Sequence, residues 1–191
     1  MRNAIIPTLV LALTLGLGGC TTIANVANDG PIGENYGERT LGSKVEDESI
    51  QTKVSVNLGK TDARLSDARI NVDVFNSVVL LTGQVPSEEL KNEASTVAEQ
   101  VRNVRQVHNQ LTVAANLPMS QRLADGWLAT RLKTNLATNE SIDSSRVNIV
   151  VENASVYLMG LVTRAESERI VSAVSAAGGV QRIVKVFEYL D

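Results

Sequence analysis

Aromatic residues are scarce in this 191-residue chain: one Trp, two Phe and three Tyr. Ala, Val, Leu and Ile must therefore build any core, and such small side chains suit thin layers better than one bulky centre. A single cysteine, Cys20, excludes an internal disulfide. A single histidine, His108, has no Ser, Cys or carboxylate at motif spacing, so neither a triad nor a zinc set can be assembled around it. No Gly-rich loop with Lys-Ser/Thr is present to cradle phosphate. No Lys/Arg-rich run occurs at a net charge of −3, and a nucleic-acid footprint needs a basic face. The acidic pairs Glu88-Glu89 and Glu166/Glu168 fall near expected helix N-termini, where acids meet the helix dipole favourably. The expectation is a protein without catalytic residues, metal, cofactor or nucleic-acid partner.

Long hydrophobic runs are also missing. The longest, Ala4 to Leu17, is interrupted by Pro7, Thr8, Thr14 and Gly16, and falls short of the roughly 20 residues a spanning helix needs. Behind Met1-Arg2 it matches the h-region of a signal peptide. It ends in Leu17-Gly18-Gly19-Cys20, which resembles the bacterial lipobox, where the chain is cut before a cysteine whose thiol is acylated. Residues 1–19 are thus expected to be a lipoprotein signal peptide and Cys20 the lipidation site. Thr21, in place of Asp, resembles the signal of lipoproteins sent to the outer membrane, with folded domains in the periplasm. Residues 20–44, rich in Gly, Asn and Thr, read as the lipidated Cys and a flexible tether.

What remains is one unit written twice. Leu80-Leu81-Thr82-Gly83-Gln84-Val85 corresponds to Tyr157-Leu158-Met159-Gly160-Leu161-Val162, and Ile50, Val54 and Leu58 to Leu128, Leu132 and Leu136. Val104 and Val107 correspond to Val180 and Ile183. Apolar residues at i, i+4 and i+8 predict a helix stripe. Ile70, Val72 and Val74 alternate as a half-buried strand should, and Asn76-Ser77 or Asn153-Ala154 then supplies a hairpin turn. Thr163 to Glu166 reads as a capping box opening the second helix, with Gly178-Gly179 expected to stop it. Gly83 and Gly160, isolated in strands, predict a bulge or a close backbone approach. Each unit therefore reads helix, strand, strand, helix, strand, over residues 45–113 and 123–191, with 114–122 as linker.

This αββαβ order, with Val-x-Leu-x-Gly-x-Val in the second strand and a Gly-Val-x-x-Val turn into the third, resembles the BON domain. A lipobox followed by two such units resembles the dual-BON outer-membrane lipoproteins. The most specific portion is Val156 to Glu166; copy one departs from the pattern at Asn103, where copy two has Gly179. The resemblance implies an α+β fold in which each three-stranded mixed sheet packs on two helices. It also implies binding to anionic phospholipid (phosphatidylglycerol or cardiolipin) through the second domain. A role in envelope integrity and cell division is implied too, with envelope or division proteins as partners.

The sole tryptophan sits in Leu123 to Leu136. At about 100° per residue, Trp127 lies about 140° from the centre of the Leu128/Leu132/Leu136 stripe. Arg131, Thr130 and Thr134 share its side, and Lys133 lies on the other shoulder. Copy one has Ser49 and Lys53 where copy two has Trp127 and Arg131, so the fold builds its core without an indole there. Three readings follow. Trp127 could insert at headgroup level with Leu123, Thr130 and Thr134 around it and Arg131 and Lys133 on lipid phosphates. It could bind an envelope protein, or it could pack on the other domain or on Leu117, Pro118 or Met119 of the linker. Copy one carries seven Lys/Arg against ten Asp/Glu between Val45 and Val113 and is expected to act as support or as a protein-binding surface.

Overall fold

The computed structural model describes residues 37–191; the signal segment, Cys20 and the tether as far as residue 36 lie outside the described residues. Copy one comprises α1 (Leu41–Thr61), α2 (Ala63–Asp67), β1 (Arg69–Phe75), β2 (Val78–Val85), α3 (Glu88–Glu99), β3 (Gln106–Asn109) and β4 (Thr112–Val113). Copy two comprises α4 (Met119–Ala137), a 3₁₀ turn, β5 (Val147–Glu152), β6 (Ser155–Val162), α5 (Arg164–Ser175) and β7 (Arg182–Tyr189). Both first helices begin earlier than the apolar stripe suggests. The Thr40 side chain accepts from the Ser43 N–H, so Leu41 to Lys44, read as tether, form the opening turn of α1. Pro118 stands at the N-cap of α4, so residues 119–122, read as linker, are helical.

In copy one the central strand β2 pairs antiparallel with β1 (Val74↔Val79) and parallel with β3 (Val79↔Val107). The third strand is interrupted at Gln110-Leu111, and β4 resumes the pairing with β2. Copy two repeats the order as β5-β6-β7 with an unbroken third strand. One face of each sheet meets the helices. Ile50, Val54 and Leu58 pack on Val79 and Leu81, and Leu128, Leu132 and Leu136 on Val156 and Leu158.

The other faces meet each other. Phe75, Val78 and Leu80 of copy one share a third core with Tyr157, Met159 and Val186 of copy two. All eight residues of β2 are buried as a result, which a sheet covered on one face would not give. The described part is therefore four layers: helices, sheet, sheet, helices. Polar groups rim this joint. Glu152, 5% exposed, accepts from Arg69 Nη1 at 2.5 Å, Gln84 Nε2 at 2.6 Å and Asn71 Nδ2 at 3.1 Å. Glu188 accepts from Asn76 Nδ2 and from the Arg105 guanidinium.

Both hairpins turn through two consecutive left-handed residues, Asn76-Ser77 and Asn153-Ala154, the geometry that suits a two-residue connection. Neither turn has glycine; each instead has a buried helical carboxylate beneath it. Asp47 accepts from the N–H groups of Asn76 and Ser77 at 2.8 and 2.7 Å, and Asp125 from those of Asn153 and Ala154, both at 2.9 Å. Each aspartate lies one turn before its helix's apolar stripe, so helix and hairpin are locked by the same device twice.

Gly178-Gly179 does not stop α5, contrary to the sequence reading. That helix ends at Ser175 with Ala176 as C-cap, and Gly179, φ +90°, shapes the turn into β7. Asn103 takes the same left-handed role in copy one at φ +70°, as asparagine tolerates. The capping box is formed as expected: Thr163 Oγ1 accepts from the Glu166 N–H, and the Glu166 carboxylate accepts from the Thr163 N–H at 2.7 Å. That backbone bond, aided by the Thr163 hydroxyl and by Arg146, holds the Glu166 carboxyl below its usual value of 4.5. A depressed folded-state pKa stabilises above the ordinary glutamate value, and the gain is lost as pH falls through the folded value. The melting-temperature gap between wild type and Glu166→Gln should accordingly be full at pH 7 and close below about pH 4; a pH series of thermal melts checks this.

Candidate functional site

Helix α4 divides into three faces. Leu128, Leu132 and Leu136 are buried in the domain's own core. Turned away from it is a ridge of Met119, Leu123 and Trp127, at i, i+4 and i+8, which are 59%, 57% and 76% exposed. At that exposure the indole covers neither the other domain nor the linker, so the packing reading of Trp127 does not hold. Met119 was missed from sequence because Pro118 read as the middle of a link; as an N-cap, it starts the helix in phase with Leu123 and Trp127.

Thr130 and Thr134 are exposed on the same side. Their hydroxyls donate to the carbonyls of Gly126 at 2.9 Å and Thr130 at 3.0 Å, one helical turn back. With the hydroxyl bonded to backbone, each threonine adds little free polarity to the ridge. Arg131, four residues after Trp127 on the helix, donates from Nη2 to the Gly178 carbonyl, and a guanidinium carries further donors. Trp127, Arg131, Leu128, Ala154 and Gly179 border a shallow cavity of about 460 Å³.

Lys133 is not brought to this ridge. It borders the cleft between the domains on the other shoulder of α4, near Asp73. Burial pushes the Asp73 carboxyl above the usual range, and Lys133 opposes that shift. His108 lies in the edge strand β3, where partial burial lowers its pKa.

Copy one carries part of the same ridge. Leu41 and Val45, at the positions of Met119 and Leu123, are exposed on α1, with Ser49 where Trp127 stands. The extra feature of copy two is therefore the indole alone, added to an apolar pair that both copies possess. No described helix is long and apolar enough to cross a membrane.

These features define a tandem α+β scaffold with an exposed indole on an outward helix ridge. The BON-domain family model matches residues 46–115 and 124–191, and the chain belongs to this family as a dual-BON outer-membrane lipoprotein. It is 33% identical over 186 residues to the outer membrane lipoprotein DolP of Haemophilus influenzae, covering 96% of this chain and 95% of that protein. It is 29% identical to a 21 kDa hemolysin of Actinobacillus pleuropneumoniae, over 80% of this chain and 79% of that one. The osmotically-inducible protein Y of Escherichia coli is 30% identical over 75% of this chain and 72% of its own length.

Proposed function

We propose that this lipoprotein, acylated at Cys20 and held at the outer membrane with its domains in the periplasm, binds anionic phospholipid through the first helix of its second BON domain. Phosphatidylglycerol or cardiolipin is the ligand, and support of envelope integrity and cell division is the role. It works by binding and carries out no catalysis. The observation that carries this reading is the exposed Met119–Leu123–Trp127 ridge with Arg131 beside it. An indole is at home at headgroup depth, where its ring meets the acyl boundary and its N–H stays in the polar layer. Arg131 can donate to a lipid phosphate from the same face. One helix with one adjacent cation binds weakly, and the acyl anchor raises local concentration enough for weak contacts to count.

The test uses the chain without residues 1–20, titrated with phosphatidylglycerol vesicles while tryptophan fluorescence is followed. A blue shift is expected for the wild type, and in vesicle co-sedimentation, which does not need the indole, Trp127→Ala should bind about tenfold more weakly, equivalent to about 1.4 kcal/mol. An unshifted spectrum, or unchanged binding in the variant, overturns the proposal. Crosslinks from position 127 that capture an envelope protein in lipid-free extracts would instead make this ridge a protein-binding surface.

A further inference from the structure

The cleft on the other shoulder of α4 has no part in the lipid reading and stands independently of it. The edge strands β1 and β5 each pair on one side only, with β2 and β6. Their free sides border a cavity of about 510 Å³. Val72 and Ile149 line that cavity although their side chains belong to the helix-side cores. What they present to the cleft is backbone, so unpaired strand N–H and C=O groups are on offer.

One wall is a stripe of α4, Arg122, Gly126, Ala129 and Lys133, with two cations at its ends and small residues between. A side chain built at Gly126 would meet nothing within 4 Å. The Arg122 Nε is buried without an acceptor, and neither Arg122 nor Lys133 forms an ion pair among the described residues. Two of the three acids near the cleft are already engaged: Glu152 meets Arg69, and Asp125 holds the hairpin turn. Asp73 is left against two cations.

We propose that this cleft binds an extended acidic segment of a protein partner. The segment adds as a strand to β1 or β5 and places its carboxylates on Arg122 and Lys133. A small anion would satisfy Arg122 but leave the strand edges unpaired; an extended peptide answers both. The lengths agree. Eleven helical steps separate the Cα atoms of the cations by about 16 Å at ~1.5 Å each. The two acids of an extended pentapeptide, four steps apart at ~3.3 Å each, lie about 13 Å apart, a difference that the long Arg122 and Lys133 side chains cover. The free edges are seven and six residues long.

The probe is a blocked pentapeptide, Asp-Val-Thr-Val-Asp, titrated into the isotope-labelled chain without residues 1–20, which retains all three cores. Saturable amide shifts are expected at residues 71–73 and 148–151. Affinity should fall at least tenfold for the peptide N-methylated along its backbone and in the double variant Arg122→Gln/Lys133→Gln. Gly126→Leu, which fills open space, should also block binding, and each variant should keep its melting temperature and its vesicle binding. Equal binding of Lys-Val-Thr-Val-Lys, of the N-methylated peptide or by the double variant overturns the proposal. So does saturation of the same amides by glutarate or inorganic phosphate alone, which would make the cleft a small-anion site.

Discussion

Gly83→Ala is expected to lower stability by about 4 kcal/mol, or to stop copy one from folding. A Cβ at this position would lie 2.0 Å from the Arg69 carbonyl oxygen, a backbone atom with no rotamer to escape into. Gly83 also has φ +119°, outside the ranges that an L side chain readily adopts. The conformational penalty of about 1–2 kcal/mol adds to an overpacking cost of about 1–3 kcal/mol. Relief would require β1 to move away from β2 where Ile70 faces Gly83, opening the sheet that carries the first core. Gly160 provides the internal comparison: its Cβ would meet the Arg146 carbonyl at 2.5 Å, without the unusual φ. Gly160→Ala should cost less, about 2 kcal/mol, since only the steric part applies. Urea unfolding of both variants measures the pair. A Gly83→Ala protein within 1 kcal/mol of wild type would mean that the start of β1 yields freely.

Glu152→Ala is expected to cost about 3 kcal/mol and to divide one unfolding transition into two. The carboxylate is the shared acceptor for three side chains of the other domain, and Gln84 among them is itself buried. Removing it takes this acceptor from the Arg69 guanidinium and the Asn71 amide and leaves the buried Gln84 amide unpaired, a larger loss than the net worth of the pair. Arg69 retains some solvent exposure, which keeps the figure at the low end of the range for buried pairs. Calorimetry should show the two sheets separating before the helix-side cores melt. A double-mutant cycle with Arg69→Ala should return a coupling of about 1–2 kcal/mol. Additive effects would place the specificity of the joint in its apolar centre alone.

The helix-side cores were legible because amphipathic periodicity leaves few choices. Residues spaced like Ile50, Val54 and Leu58 have one place to go, and the second copy repeats the argument. The capping box at Thr163 was legible for the same local reason. The joint between sheets was not, because Arg69 and Glu152 are 83 residues apart and no local pattern links them. One signal was present all the same: Val78-Val79-Leu80-Leu81 is apolar at every position, as a strand buried on both faces must be. Asp47 and Asp125 escaped notice because an acid on a helix ordinarily reads as solvated. Their equal placement, three residues before Ile50 and Leu128, was the available clue. For the ridge, helical geometry alone turned Trp127 outward, but the start of α4 decided whether Met119 belonged with it. Lys133 could be set on the opposite shoulder by angle, while only the tertiary structure shows that a cleft lies there.

The four-layer stack has a consequence for what duplication achieved. Because the sheets meet back to back, α1 and α4 lie on opposite outer faces of the described stack, each with its ridge turned from its own core. Two copies of one fold placed in this way do not form a side-by-side pair of matching ridges on one face of the stack. Whatever α4 touches, α1 is presented to the far side, with Leu41 and Val45 still uncovered. The repeat has given the described stack two unlike outer faces, and the single indole marks which face is which.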